Sequence, residues 1–440
     1  MPGVWIKNFG CQTNVYDAER ISALLQKEGY HTVATPAAAQ LIVLNTCHIR
    51  EKATEKLFSD LGRLRALKTG PLPPKIFVTG CVAQALGEEI WQRAPWVDGI
   101  VGPQATHCLL DLLRASSFQP VVCLEKALPE KFQEAALSDS PTKVTALLVI
   151  QEGCDNGCTY CVVPSTRGRS FSRPVASVLE EARTLLQQGV REITLVGQNV
   201  NAYCAQDEAG ALCDFGSLLF LIAALPGIKR LRYTTSHPQD ITDTLLRAHA
   251  TLPSLMPAVH LPVQSGSDPI LRTMKRPYTR TLYLKALEQL RAARPDIAFS
   301  SDFIVGFPGE TEEDFQATLA LVKEVSYAQA YAFKYSIRPG TPAASLPQQV
   351  PEPIKKQRLA SLLALLEAQQ QAFYRQHLSQ IVDVLFEKPG RHSGEITGRT
   401  PHFLPVVVQG STDLIGSCCS VRLVKVLPHS LQGEIVESSL

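Results

Sequence analysis

The chain has 440 residues, of which 45% are hydrophobic, with twelve cysteines and a formal net charge of +2. That length allows two or three domains with ample core, and the charge by itself announces no nucleic-acid binder. No apolar run reaches the roughly eighteen residues of a membrane-spanning helix, the first residues lack a signal-peptide h-region, and the cysteines are too sparse for a disulfide scaffold, so their clustering predicts metal in a reducing, cytoplasmic compartment.

Residues 1–120 read as an open parallel α/β sheet domain. Val4–Phe9 is strand-like and leads into Gly10-Cys11-Gln12-Thr13-Asn14. A helix follows, with Ile21, Leu24 and Leu25 on one face and Gly29 near its end. Leu41–Asn45 is a second strand, ending in Thr46-Cys47-His48, and a charged helix begins near Arg50. Lys75–Thr79 is a third strand, ending in Gly80-Cys81. Strand, cysteine and helix thus recur three times. In an open parallel sheet the carboxyl ends of the strands share one edge, where ligands bind. Cys11, Cys47 and Cys81 are therefore expected to converge, either as ligands of an iron–sulfur cluster with one open iron or as three small buried residues.

Residues from about 124 to 142 lack a period and read as a linker. The segment 140–375 then carries six strand–helix units, with strands at 144–150, 192–196, 230–235, 258–262, 298–305 and 329–335. Six such units predict a partial (β/α)6 parallel barrel, three-quarters closed, with its site at the strand ends. The first strand feeds Cys154, Cys158 and Cys161, spaced C-x3-C-x2-C. Thiolates this close can hold three irons of one cubane cluster and leave the fourth open. A zinc knuckle or three buried thiols are the alternatives. A long helix with leucines at 359, 362, 363, 365 and 366 runs from Pro351 to about Ser379.

Residues 378–440 read as a small all-β barrel, with strands at 381–386, 405–408, 420–424 and 434–436. Gly398-Arg399-Thr400 and Phe403 place a cation beside an aromatic ring on its loop face. That is either an RNA contact or a solvated arginine and a packed ring. Cys108, Cys123, Cys204, Cys213, Cys418 and Cys419 read as ordinary thiols, the last two pointing to opposite faces of a strand.

Several motifs are then recognisable. Gly10-Cys11-Gln12-Thr13-Asn14, Asn45-Thr46-Cys47-His48-Ile49-Arg50-Glu51-Lys52-Ala53 and Gly80-Cys81-Val82-Ala83-Gln84 resemble the methylthiotransferases, as do Cys154–Cys161, Val163-Pro164-Ser165-Thr166-Arg167-Gly168 and Gly306-Phe307-Pro308-Gly309-Glu310-Thr311. The resemblance covers the whole chain: an N-terminal methylthiotransferase domain, a radical S-adenosylmethionine (SAM) core and a C-terminal TRAM module. Gln12, and Ile49 to Ala53, look like the MiaB type, which acts on N6-isopentenyladenosine in tRNA. Thr13 and His48 depart from the family's usual residues, and neither replaces a ligand.

The resemblance implies the following. Cys154, Cys158 and Cys161 hold the [4Fe-4S] cluster that cleaves SAM. Cys11, Cys47 and Cys81 hold an auxiliary [4Fe-4S] cluster carrying the sulfur. One SAM methylates that sulfur, and a second yields the radical that takes hydrogen from C2 of the adenine at position 37, next to the anticodon. Gly197, Gln198 and Asn199 face the SAM amino group, Tyr160 contacts adenine, and Gly306 to Gly309 approach the nucleoside. Ser236, Gln264 and Arg338 either bind SAM or cap strand ends. Arg167 with Arg169 and Arg173, Lys229 with Arg230 and Arg232, and Lys275 and Arg276 with Arg280 hold RNA phosphate near the barrel mouth, or are solvated faces. Partners would be tRNA presenting its anticodon stem-loop, an electron donor such as flavodoxin or ferredoxin, and a sulfur or cluster donor protein. A sister enzyme acting on threonylcarbamoyladenosine or a ribosomal protein, and a non-catalytic iron–sulfur RNA-binding protein, remain the other readings.

Overall fold

The computed structural model describes residues 1–48, 51–116, 119–126, 131–132, 143–207 and 209–436. Most of the expected linker, together with Ile49 and Arg50 of the second cysteine motif, lies outside the described residues. Among the described residues no helix is long and apolar enough to cross a membrane.

The N-terminal unit is a six-stranded sheet of β1 (Gly3–Phe9), β2 (His31–Thr32), β3 (Leu41–Thr46), β4 (Lys75–Thr79), β5 (Gly99–Val101) and β6 (Val121–Cys123). All pairings are parallel, in the order β2-β1-β3-β4-β5-β6. The sequence reading has only β1, β3 and β4; the added strands are two or three residues long, too short to show a period. Every residue of β3 is buried. Its Ile42 and Leu44 face the helix carrying Leu57 and Leu61, while Leu41 and Val43 face the one carrying Ile21 and Leu25. A strand covered on both faces is apolar throughout, as its sequence shows. Strand order reverses between β1 and β3, and such a switch point opens a crevice at the carboxyl ends. Cys11 follows β1, Cys47 follows β3 and Cys81 follows β4, so all three lie at that crevice.

The central unit contains β7 (Thr145–Val149), a short antiparallel pair of β8 (Gln151–Glu152) and β9 (Phe171–Ser172), and β10 (Glu192–Val196). A hairpin of β11 (Cys204–Gln206) and β12 (Leu212–Asp214) follows, then β13 (Arg230–Tyr233), β14 (Ala258–His260), β15 (Ala298–Val305) and β16 (Gln329–Lys334). The six parallel strands form two ladders, β13-β10-β7 and β14-β15-β16. The segment leading into β14 closes the seam: Leu231 donates to the Ser254 carbonyl at 2.7 Å, and Met256 donates back to Leu231 at 3.0 Å. Leu148, Ile193, Leu231, Val259 and Phe303 bury their side chains against the surrounding helices. The helix Glu352–Gln376 places Leu362 and Leu366 in this core and Tyr374 in the core of the C-terminal unit, so it belongs to both.

The C-terminal unit is a closed barrel of β17 (Ile381–Pro389), β18 (Glu395–Arg399), β19 (Pro405–Gln409), β20 (Cys418–Val426) and β21 (Leu431–Ile435), ordered β17-β18-β19-β21-β20. β18 is one strand more than the sequence predicts, because its charged ends and Gly398 read as a turn. This barrel docks at the amino-terminal ends of β10 and β13, the end opposite Cys154–Cys161. Arg230 donates to the carbonyls of Arg399 at 2.6 Å and Asp383 at 2.9 Å. Arg232 donates to those of Pro401 at 2.7 Å and Thr400 at 2.8 Å, and pairs with Glu192 at 3.0 Å. The Phe403 ring takes the Arg232 and Arg399 guanidinium groups at 4.8 and 4.0 Å from its centroid. Arg399 and Phe403, expected to contact RNA, both take part in this internal joint, and Arg399 also pairs with Glu387 at 3.3 Å. The same holds for Arg230 and Arg232, which are struts between units.

Candidate metal centres and cofactor pocket

The auxiliary triad is assembled by two close approaches of backbone. Gly10 has φ +152°, and a Cβ there would stand 2.4 Å from the Cys47 Cβ; at Gly80, with φ +91°, it would stand 2.4 Å from Asn45 Oδ1. Only glycine lets the three loops meet so tightly. Asn14 and Asn45 tie the first two loops together, Asn14 Nδ2 to Asn45 Oδ1 at 3.2 Å and Asn45 Nδ2 to the Asn14 carbonyl at 2.7 Å. A hydrogen bond with Cys47 lowers the Cys11 thiol to about 6, against the effect of burial and with help from the Arg167 charge. Burial pushes the Cys81 thiol up, while Arg167 pulls it back.

In the central unit, β8, β9 and the helix Val163–Arg167 frame the second triad. Cys154 donates its N–H to the Gly168 carbonyl at 3.2 Å, and the Cys161 N–H reaches the Cys158 carbonyl at 3.1 Å. Backbone N–H groups of Asn156 and Val163 point at the sulfurs of Cys154 and Cys161, each at 3.4 Å. Arg276 directs Nη1 at the Cys158 sulfur from 3.6 Å. Burial raises the Cys154 thiol and pushes Cys161 up to about 12. Three thiols that meet N–H donors and an arginine suit a bound anionic cluster, which fixes them as thiolates and releases their protons. The same chemistry suits the first triad, where Arg167 donates Nε–H to the Cys81 sulfur at 3.3 Å. Among the described residues no three His, Cys, Asp or Glu converge as they would on one metal ion; a cubane takes each sulfur on a different iron and needs no such convergence.

Beside the second triad lies a hydrogen-bond network organised by Gln151, a residue that sequence reasoning missed. Its Oε1 accepts from the backbone N–H of Gln198 at 2.9 Å and Asn199 at 3.0 Å, and its Nε2 donates to the Gly153 carbonyl at 2.6 Å. Gln198 Oε1 accepts from the Gly153 N–H at 2.7 Å, and its Nε2 reaches Thr13 of the N-terminal unit at 3.3 Å. Gly197 packs against the Gln151 carbonyl. Asn199 Oδ1 and His237 Nε2 are buried with no hydrogen-bond partner among the described residues. Asn199 Oδ1 fits a ligand that brings a donor, while His237, whose Nδ1 accepts from the Gln239 N–H at 3.4 Å, carries its proton on Nε2 and fits a ligand acceptor. Burial, then the Arg276 charge, lowers His237 to about 3. Tyr160 packs edge-on against Phe307 at 6.2 Å. Ser236 is buried beside His237, and Gln264 sits at φ +74° beside β15. Arg338 faces the N-terminal unit, where its charge adds to burial in lowering His48. At Gly306 (φ +69°) the space of a Cβ is filled by the Lys355 side chain of the long helix.

Three family models match in succession: an uncharacterized protein family, UPF0004, over residues 3–102, the radical SAM superfamily over 148–322 and the TRAM domain over 375–436. A tRNA-2-methylthio-N(6)-dimethylallyladenosine synthase from Bartonella tribocorum is 50% identical, covering 98% of this chain and 96% of that protein. One from Bartonella henselae is 51% identical over the same shares. The chain belongs to the radical SAM methylthiotransferase family. Among solved structures, a radical SAM methyltransferase, TsrM, from Kitasatospora setae superposes with a TM-score of 0.58 at 14% identity, covering 78% of this chain and 75% of that one, a likeness of fold. As a radical SAM methylthiotransferase the protein uses [4Fe-4S] clusters and SAM.

Of the cations that the sequence assigns to RNA, several are drawn inward in this methylthiotransferase. Arg167 is 2% exposed. It lies in a ring with Asp17, Glu152 and Lys131: Arg167 to Asp17 at 2.8 Å and Glu152 at 2.7 Å, Lys131 to both carboxylates at 2.8 Å. Arg173 is equally buried, pairing with Glu181 at 2.8 Å. Arg276 also turns inward, to the Pro262 carbonyl at 2.7 Å and Tyr278 OH at 2.6 Å. Arg169, Lys229 and Lys275 remain exposed. The sequence shows charge but not the distant acids that draw it inside. Lys131, in the expected linker, gives no local signal at all.

Proposed function

We propose that the protein is a tRNA-2-methylthio-N6-dimethylallyladenosine synthase, which methylthiolates C2 of N6-isopentenyladenosine at position 37 of tRNA. The observation that carries this is a chain about half identical over 98% of its length to synthases of that name, with two cysteine triads supporting the reading. When bound, the clusters and SAM supply the sulfur, the methyl group and the radical that removes the C2 hydrogen. Cys154, Cys158 and Cys161 would hold one cluster and Cys11, Cys47 and Cys81 the other. Asn199 and the 197–199 backbone would hold the SAM amino group, with Tyr160 beside its adenine. Ser236, Gln264 and Arg338 stand at the same strand ends and would complete the pocket. Arg169 and Lys275 are exposed cations that would meet RNA phosphate, steering an unstacked loop base toward the radical's carbon, which must come near contact with C2. The electron donor would be a flavodoxin or ferredoxin, and a separate protein would renew sulfur or cluster. None of the twelve cysteines is in a disulfide, which suits the reducing cytoplasm.

The test is an anaerobic assay of reconstituted protein with SAM, a reductant and isopentenylated tRNA. The expected products are 5′-deoxyadenosine and 2-methylthio-N6-isopentenyladenosine. Methylthiolation only of threonylcarbamoyladenosine tRNA or of a ribosomal protein would replace the substrate. Binding of tRNA without SAM cleavage would make the protein a non-catalytic binder.

A further inference from the structure

Each cysteine triad has one arginine whose N–H points at one of its sulfurs: Arg167 Nε at Cys81 from 3.3 Å, and Arg276 Nη1 at Cys158 from 3.6 Å. We propose that these two arginines set the reduction potentials of the two clusters separately, Arg167 that of the auxiliary cluster and Arg276 that of the SAM-cleaving one. The inference rests on the ligand assignment above.

Neither arginine is placed by chance. Arg167 ends a short helix that begins two residues after Cys161, yet it crosses into the N-terminal unit to reach Cys81. Its Nη1 and Nη2 are committed to Glu152 and Asp17, leaving Nε for the sulfur. Its own carbonyl accepts from Gln104 Nε2 at 2.5 Å, which anchors the helix end to the N-terminal unit. Arg276 uses Nε on Tyr278 and Nη2 on the Pro262 carbonyl, so its Nη1 is aimed in the same way. A planar guanidinium can hold three directions at once, and an ammonium cannot reproduce that fork.

The physical effect follows from charge. Reduction adds an electron to a cluster that already carries thiolate charge. An N–H donor and a positive charge at the ligand sulfur stabilise the reduced state more than the oxidised one, raising the potential. The effect is strong when the donor is buried and water cannot screen it. The ring around Arg167 also carries two carboxylates and Lys131. Those four side chains sum to zero formal charge, so the directed N–H at Cys81 is the local polarity that the cluster would feel. One guanidinium at each site lets the chain adjust the two potentials independently.

The experiment measures potentials one cluster at a time, by reductive titration followed by electron paramagnetic resonance. The auxiliary cluster is read in chains carrying Cys154→Ala, Cys158→Ala and Cys161→Ala; the other is read in chains carrying Cys11→Ala, Cys47→Ala and Cys81→Ala. About four irons in each background confirms the ligand reading, and absence of iron from either sinks that reading before the arginines are tested. Into each background go Arg167→Lys, Arg167→Gln, Arg276→Lys and Arg276→Gln, so that a variant that does not fold leaves its counterpart to report. The expected pattern is crossed. Arg167 variants lower only the auxiliary potential, Arg276 variants lower only the other, and Gln lowers each more than Lys because it also loses the charge. Unchanged potentials in chains that retain about four irons, or equal shifts of both clusters by either arginine, overturn the proposal while leaving the ligand assignment standing.

Discussion

Replacing Lys131 by Met removes one of the two cations that neutralise Asp17 and Glu152, side chains no more than 1% exposed. Arg167 remains, leaving two buried carboxylates for one guanidinium. The cheapest relief is to protonate one carboxylate. Against an ordinary Asp pKa of about 3.9, that costs roughly three units at pH 7, or about 4 kcal/mol at about 1.36 kcal/mol per unit. This agrees with the roughly 3–5 kcal/mol for removing one partner of a buried pair. At pH 5 the same relief costs only about 1.5 kcal/mol. In the native protein, Lys131 and Arg167 hold the Asp17 carboxyl below its usual range in spite of burial. A depressed carboxylate contributes stability above its unfolded pKa, so the native protein loses none of this term between pH 7 and 5. The variant instead carries a raised carboxyl, whose stability is lost as pH rises. Native-state hydrogen exchange of peptides covering Gln12–Lys27 and Val163–Arg167, corrected for intrinsic rates, reads the opening free energy of this joint. The expected deficit is about 4 kcal/mol at pH 7, shrinking by about 2.5 kcal/mol at pH 5. A deficit that is the same at both pH values, or below about 1 kcal/mol at pH 7, would refute the reasoning.

Arg232→Ala leaves Glu192 buried without its cation and removes two bonds to the C-terminal barrel. It should weaken that joint by about 3–5 kcal/mol, seen as faster exchange in Glu395–Gln409; unchanged exchange there counts against the strut. Leu362→Ala empties a fully buried site under the long helix and should cost about 2–5 kcal/mol in denaturant unfolding of the central unit. His237, lowered to about 3 by burial and then by Arg276, should stay neutral from pH 8 to 5 in a histidine-selective NMR titration. A midpoint near the ordinary value of about 6.5 would place it in water.

The sequence makes the cysteine triads and their strand ends legible because both signals are local. A C-x3-C-x2-C run is contained in eight residues, Cys154 to Cys161, and the apolar strands before Cys11, Cys47 and Cys81 are read from their own neighbours. The environment of each arginine is not legible. Arg167 meets Cys81 across 86 residues and Asp17 across 150, and no periodicity carries such information. Arg399 and Phe403 show the same limit: the sequence places a cation beside a ring but does not show Arg232, which comes from another unit and closes on that ring. Lys131 stands in a segment without pattern, and its burial is decided by Asp17 and Glu152. Short strands such as β5 and β6 take their conformation from the sheet beside them.

The Phe403 joint makes the C-terminal barrel a stopper for the barrel behind it. Cutting the chain near Ser379 would strip Arg230 of its carbonyl acceptors and open Glu192 and Arg232 to water at the end away from the cysteines. A truncated enzyme would thus lose a hand for RNA and also the base plate that keeps β10 and β13 in register. Its failure to modify tRNA would not by itself distinguish weak grip from a loosened reaction chamber. Point changes on the outer face of the stopper, away from Arg399 and Phe403, separate the two, because they alter the grip and leave the plate seated.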